Sequence, residues 1–213
     1  MNYSLKQGPF RAYKNLILAS VSPRRQKLLA TLGLSFAVQP SSIQEPDPEH
    51  EENTEQFVLK NAQLKAFDII RKKRNGVIIA ADTVVVYQKN ILGKPKNKQE
   101  ALQTLQLLSG VSHFVTTGCF VYDLYTGRQV NFAISSKVEL ASQPFSVLEA
   151  YIETGEPLDK AGSYAIQGIG SFLVEKISGS YTNVVGLPLK ELVTVLMDLE
   201  SIGLSNKNCS LAN

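Results

Sequence analysis

The sequence predicts an α/β fold, and three stretches predict it. Residues 16–29 read as a buried strand, a tight turn and a helix. Residues 76–87 read as a strand apolar on both faces. Residues 114–125 and 130–140 are two long β-rich runs joined at Thr126-Gly127, an antiparallel ribbon. With 213 residues and 44% hydrophobic content, the chain can bury a core without staples and is expected to form one domain or one elongated two-lobed unit.

The first stretch sets the chemistry. Leu16-Ile17-Leu18-Ala19 stops at Ser20-Val21-Ser22-Pro23-Arg24-Arg25, and Leu28, Leu29 and Leu32 then repeat with helical spacing. Pro23 fits the turn or the first helical turn, where its missing N–H costs nothing. The hydroxyls of Ser20 and Ser22, the free N–H groups of the helix start and the charges of Arg24 and Arg25 converge on one small volume. That combination suits an anion, best a phosphate. An N-capped helix with two solvated arginines would carry the same signature.

In chain order, residues 34–40 alternate like a strand. The loop 41–52 holds Pro46, Pro48 and five acidic residues, with Glu45 at its entrance, and taken alone Glu45 reads best as a surface carboxylate. Thr54 is expected to cap a helix running to about residue 74. Lys65 lies near its apolar side, the position of a snorkelling lysine or of one that reaches into a cleft. In Val77-Ile78-Ile79-Ala80-Ala81-Asp82-Thr83-Val84-Val85-Val86 the carboxylate has apolar strand on both sides. Its burial is expensive unless it is paired or bound, so Asp82 favours a functional role. Residues 90–95 read as a hairpin return that brings Lys94 toward Asp82, and a helix is expected over 98–108. Ser146 is expected to cap a helix over 147–154, residues 173–177 form a strand, and a last helix ends near Glu200. Residues 1–14 are expected to be a loosely attached extension, 15–204 a single domain and 205–213 a polar tail.

Several function classes are excluded or disfavoured. The net charge of +3 and the single basic run Arg71-Lys72-Lys73-Arg74, at a helix end, disfavour a nucleic-acid partner. No stretch approaches the ~20 apolar residues of a membrane helix, and the four apolar residues after Lys6, Arg11 and Lys14 are too few for a signal-peptide core. Two cysteines suggest no disulfide framework, so a reducing, cytoplasmic setting is expected. There is no P-loop, no dinucleotide fingerprint after the first strand, no nucleophile elbow and no histidine at metal-ligand spacing. Carboxylate, lysine and arginine chemistry remains, a set suited to a hard cation and a polyphosphate.

Five motifs, in order, carry a resemblance. They are Ala19-Ser20-x-Ser22-Pro23-Arg24-Arg25-x-x-Leu28-Leu29, Ala81-Asp82-Thr83-Val84-Val85, Gly93-Lys94-Pro95, Gly155-Glu156-Pro157-x-Asp159-Lys160-Ala161-Gly162-x-Tyr164-x-Ile166-Gln167-Gly168, and Gly179-Ser180-Tyr181-x-Asn183-Val184-Val185-Gly186-Leu187-Pro188. Together they resemble the Maf family over about residues 16–199. The resemblance implies an elongated mixed β-sheet flanked by helices, two lobes with a central cleft, similar to inosine triphosphate pyrophosphatases. It implies hydrolysis of a nucleoside triphosphate to the monophosphate and pyrophosphate, in the dTTP/UTP branch on the strength of Arg24, Thr83 and Gln167. On this resemblance Ser20, Arg24, Arg25, Lys65 and Lys94 bind the triphosphate, Glu45 and Asp82 hold Mg²⁺ or Mn²⁺, and Asp82 is the proton acceptor. Gln167, able to donate and accept, is the candidate reader of the pyrimidine edge. Relatives are often dimers, so a homodimer is an expectation. The family is also associated with inhibition of septum formation, which leaves a nucleotide-sensing division regulator as the alternative. The chain departs from the pattern in its N-terminal extension and in Gly93, where some relatives carry an acidic residue.

Overall fold

The computed structural model describes residues 8–44, 46 and 53–205. Its elements are β1 (Phe10–Ala12), β2 (Leu16–Leu18), α1 (Pro23–Ala30), β3 (Phe36–Val38), α2 (Thr54–Ile70), β4 (Val77–Tyr87), β5 (Asn90–Leu92), α3 (Lys98–Leu108), β6 (Ser112–Asp123), β7 (Gln129–Leu140), α4 (Phe145–Glu153), β8 (Val174–Ser178), α5 (Tyr181–Val185), α6 (Leu189–Asp198) and β9 (Ile202–Leu204). Three short 3₁₀ turns lie between α4 and β8.

Seven strands form one mixed sheet in the order β3-β2-β4-β6-β7-β8, with β5 also on β4. β2 pairs parallel with β3 and β4, and the remaining ladders are antiparallel. The long strand β4 is central, as its two apolar faces require. Its odd positions Val77, Ile79 and Ala81 pack with Leu28, Leu29, Leu192 and Leu196 of α1 and α6. Its even positions Ile78 and Ala80 pack with Ala62, Ala66 and Ile69 of α2. A separate core at the far end joins Val85 to Leu105 and Leu108 of α3 and Leu148 and Ile152 of α4. The sheet is thus shared by packing groups at its two ends, flanked by helices on both faces.

Three local expectations shift. Asn53, not Thr54, caps α2, its side chain accepting from the Gln56 N–H at 3.0 Å, and the helix ends at Ile70 rather than near 74. α4 begins at Phe145 after Pro144, so Ser146 lies inside it. α5 follows β8 after two residues and is capped by Ser180.

The described part of residues 1–14 is tied to the domain. β1 pairs antiparallel with β9, and Phe10 packs on the core. Lys14 Nζ donates to the buried Asp123 at 2.8 Å and to the Leu199 carbonyl at 2.6 Å. These contacts join residues 109 or more positions apart, which no local pattern reports. Among the described residues, no helix is long and apolar enough to cross a membrane.

Candidate active site

A cleft opens where one edge of β4 loses its neighbour. β6 covers one edge from Val77 to Val86. On the other edge, β2 pairs with Val77, Ile78 and Ile79, and β5 pairs with Val85, Val86 and Tyr87. Positions 80–84 between them have no strand on that edge among the described residues. The resulting cavity has a volume of about 730 Å³ and is lined by Ser20, Arg24, Arg25, Asn61, Lys65, Asp82, Thr83, Lys94, Asp159, Lys160 and Ile166, among others.

Asp82 and Thr83 leave this gap on opposite faces of the sheet, as neighbouring strand residues must. Asp82 turns toward α2. Its Oδ1 accepts from Lys65 Nζ at 2.7 Å and its Oδ2 from Asn61 Nδ2 at 3.1 Å. α2 can lie this close because the residue opposite Asp82 on β6 is Gly118, where a Cβ would sit 2.7–2.8 Å from the backbone of Val58 and Leu59. Burial alone would raise the Asp82 pKa. The charge and hydrogen bond of Lys65, the charge of Arg25 and the Asn61 amide outweigh it and hold the carboxyl below its ordinary value. Asp82 is therefore an ionised, nearly buried carboxylate at neutral pH.

Thr83 turns toward α1. Its hydroxyl accepts from Arg25 Nη2 at 2.8 Å and lies 2.9 Å from the Thr117 hydroxyl. Arg25 Nε donates to the Gly186 carbonyl at 2.7 Å, just past α5. Its third contact, Nη1 to Ser20 Oγ at 3.5 Å, is long. Ser20 Oγ also accepts from the Ser22 N–H at 3.2 Å, and Ser22 caps α1 through the Arg25 N–H. With Pro23 at the first helical position, the turn before α1 aims its N–H groups at the cleft.

Arg24 and Lys94 line the same cleft, and neither makes an ion pair among the described residues. Lys94 is exposed and follows β5, whose pairing with β4 returns the chain over the gap. The described lining therefore holds five cations (Arg24, Arg25, Lys65, Lys94, Lys160) against two carboxylates (Asp82, Asp159). Such a surplus is what a polyanion needs.

The structure brings together Ser20, Arg24, Arg25, Lys65, Asp82, Thr83 and Lys94. Glu45 lies outside the described residues. Gln167 stands beside the cleft rather than in its described lining; its neighbour Ile166 is in the lining, and Gln167 Nε2 donates to the Tyr181 hydroxyl at 3.0 Å. Sequence reasoning passed over Asn61, a polar residue 1% exposed on the helix face that also buries Val58, Ala62 and Lys65. That placement is the signal that could have found it. Asp159 and Lys160 enter the cleft lining from the fourth of the five motifs.

The donor set bears on a divalent cation. No three of His, Cys, Asp and Glu converge among the described residues. Asp82 is the one buried carboxylate in the described lining, and each of its oxygens has lone-pair capacity beyond the hydrogen bond named above. This fits a hard ion held by one or two carboxylates with substrate oxygens and water completing the shell. The described residues form no cage made by the protein alone.

Residues 15–199 match the family model described as "Maf-like protein". The chain is 44% identical over 190 residues to the "dTTP/UTP pyrophosphatase" of Nitratidesulfovibrio vulgaris, covering 89% of this chain and 90% of that one. It is 44% identical over 181 residues to the protein of the same name from Desulforamulus reducens, covering 85% and 94%. A solved nucleoside-triphosphatase, dITP/XTP pyrophosphatase, of Mycobacterium abscessus aligns with a TM-score of 0.40 at 15% identity, over 87% of this chain and 98% of that one. On the family match and the two relatives, this chain belongs to the Maf family.

Proposed function

We propose that this chain hydrolyses pyrimidine nucleoside triphosphates, dTTP and UTP, to the monophosphate and pyrophosphate. The observation that carries the reading is the ionised, nearly buried Asp82 facing a surplus of cations across a cleft open to solvent. The names of the relatives support the choice of substrate.

Arg24, Arg25, Lys65 and Lys94 hold the triphosphate, with Ser20 and the start of α1 adding donors. Lys65 donates to Asp82 and lines the cleft, so its ammonium stands where a phosphate oxygen would meet that carboxylate. Water attacks the α-phosphorus, the bond to the bridging oxygen breaks, and pyrophosphate leaves into the cationic lining. Asp82 takes the proton of the attacking water. A phosphate oxygen that draws Lys65 toward itself weakens the hold on Asp82 and makes the carboxylate a better base. A Mg²⁺ or Mn²⁺ ion held by Asp82 and Glu45 would neutralise charge on the phosphates and acidify water. Charge stabilisation by the cations present supplies most of the rate.

Gln167 is the reader of the base edge, and Thr83 acts through Arg25, whose guanidinium it holds. A pyrophosphate-release assay across the common ribo- and deoxyribonucleoside triphosphates tests the proposal. Release from dTTP and UTP in preference to purine nucleotides is expected, and no release from either overturns it.

A further inference from the structure

The segment from Tyr164 to Gly170 forms an arch beside the cleft. Tyr164, Ala165 and Ile166 line the cavity, and Gln167 follows. Both feet of this arch are pinned to two side chains that themselves lie outside the cavity lining. At one foot the Ala165 N–H donates to the Tyr151 hydroxyl at 3.2 Å. At the other, the Ile169 N–H donates to Glu156 Oε1 at 3.0 Å and the Gly170 N–H to Glu156 Oε2 at 2.8 Å. The Tyr151 hydroxyl donates to Glu156 Oε2 at 2.8 Å, so the two pins are one unit.

The backbone is shaped to admit this pair. Gly168 has φ 102° and ψ −151°, a conformation closed to residues with a side chain. A Cβ there would collide with Glu156 Oε1, and a Cβ at Gly170 would collide with the Tyr151 hydroxyl. The Tyr151 ring is 2% exposed and packs edge-on against Phe172 at 6.0 Å between centroids, which fixes its hydroxyl. A carboxylate that accepts two backbone N–H groups and a phenol is a rigid post.

We propose that Glu156 and Tyr151 are positioning residues for substrate choice: they clamp the arch and so set where Ile166 and Gln167 meet the nucleobase. This rests on the pyrimidine nucleotide reading given above. Selection among bases of similar size depends on polar groups that cannot move to suit the wrong edge. A free arch would let Gln167 follow any base. The groups assigned to the phosphates and to proton transfer sit elsewhere, on α1 and the turn before it, α2, β4 and the residues after β5. Loosening the clamp therefore weakens base choice and leaves the chemical step intact.

The test compares the wild type with Tyr151→Phe and Glu156→Gln, measuring kcat and KM for dTTP and dCTP by pyrophosphate release. The kcat/KM ratio of dTTP to dCTP is expected to fall about tenfold or more. The fall comes from a raised KM for dTTP, while kcat at saturation stays within about threefold. Tyr151→Phe removes a single oxygen and keeps the ring against Phe172, so it carries the test if Glu156→Gln does not fold. A purely structural role would lower both substrates by the same factor. An equal fall, or an unchanged ratio in folded variants, overturns the clamp. Absence of release by the wild type from both dTTP and UTP overturns the nucleotide reading instead, and this proposal with it.

Discussion

Lys65 Nζ lies 2.7 Å from Asp82 Oδ1, and both side chains are less than a tenth exposed. An isolated charge at either position would be strongly disfavoured, whereas together, with the Asn61 amide on the second oxygen, they form a compensated unit. This unit stands in the one gap along β4. The same contact that lets the protein fold around a carboxylate also keeps that carboxylate ionised for chemistry.

Asp82→Asn is therefore expected to abolish turnover while nucleotide affinity stays within about tenfold, because the phosphate-holding cations remain. Pyrophosphate release and titration with a non-hydrolysable dTTP analogue measure the two separately. The same substitution leaves Lys65 charged and buried without its counterion, so a loss of about 3 kcal/mol in unfolding free energy is expected by denaturant titration. Near-normal hydrolysis of dTTP by the variant would remove Asp82 as the base.

The pH dependence has a definite sign. The folded Asp82 pKa lies below the ordinary 3.8, so the pair contributes stability above that value and loses it as pH falls through the folded pKa. In the free enzyme the acid limb of kcat/KM is accordingly expected below the usual carboxylate range. Asn61→Leu removes one of the hydrogen bonds that lower the pKa, so it should move that limb to higher pH. A pH profile of both proteins from pH 2.5 to 7 reads the displacement, and an unmoved limb would detach Asn61 from the base.

Thr83 is expected to act through Arg25 rather than on the nucleotide itself. Thr83→Val removes the acceptor 2.8 Å from Nη2 and leaves the guanidinium held by the Gly186 carbonyl and the long Ser20 contact. Because the lost hydrogen bond orients Arg25 and does not touch the nucleotide, only part of its worth reaches KM, an increase for dTTP of roughly three- to tenfold with a smaller change in kcat. Thr83→Ser keeps the hydroxyl and should restore KM. Steady-state kinetics on the three proteins would show whether the hydroxyl or the methyl group matters.

These expectations divide along the line between local and distant information. The turn before α1 and the buried strand β4 were legible because each announces itself within a dozen residues: Ser22-Pro23 as a helix start, and Asp82 as a costly charge inside an apolar run. The β1–β9 pairing was not legible, since nothing near Phe10 names Ile202–Leu204 as its partner. α5, five residues long, gives no periodicity to detect. The partner of Asp82 was hidden for a different reason. Lys65 was recognised as a cation for phosphate, but only the close approach of α2 at Gly118 puts its ammonium on the carboxylate. The role of Glu156 is likewise a product of tertiary geometry, because its three hydrogen bonds reach 5, 13 and 14 residues along the chain.

Arg24 and Lys94 differ in their exposure to salt. Both line the cleft with no ion pair among the described residues, and Lys94 is open to solvent. Their attraction for a triphosphate is screened over a Debye length of about 8 Å at physiological ionic strength and over about 3 Å at 1 M salt. Lys94→Ala is expected to raise KM for dTTP about tenfold at low salt, with kcat lowered less. Because a screened charge has less to lose, the ratio of variant to wild-type KM should shrink as salt is raised. Arg24→Ala, at the half-buried turn, should show the larger KM effect and the weaker salt dependence. Kinetics at several sodium chloride concentrations check this ordering. A Lys94→Ala effect that does not vary with salt would place that lysine in direct, desolvated contact with the phosphates rather than at their solvent-facing side.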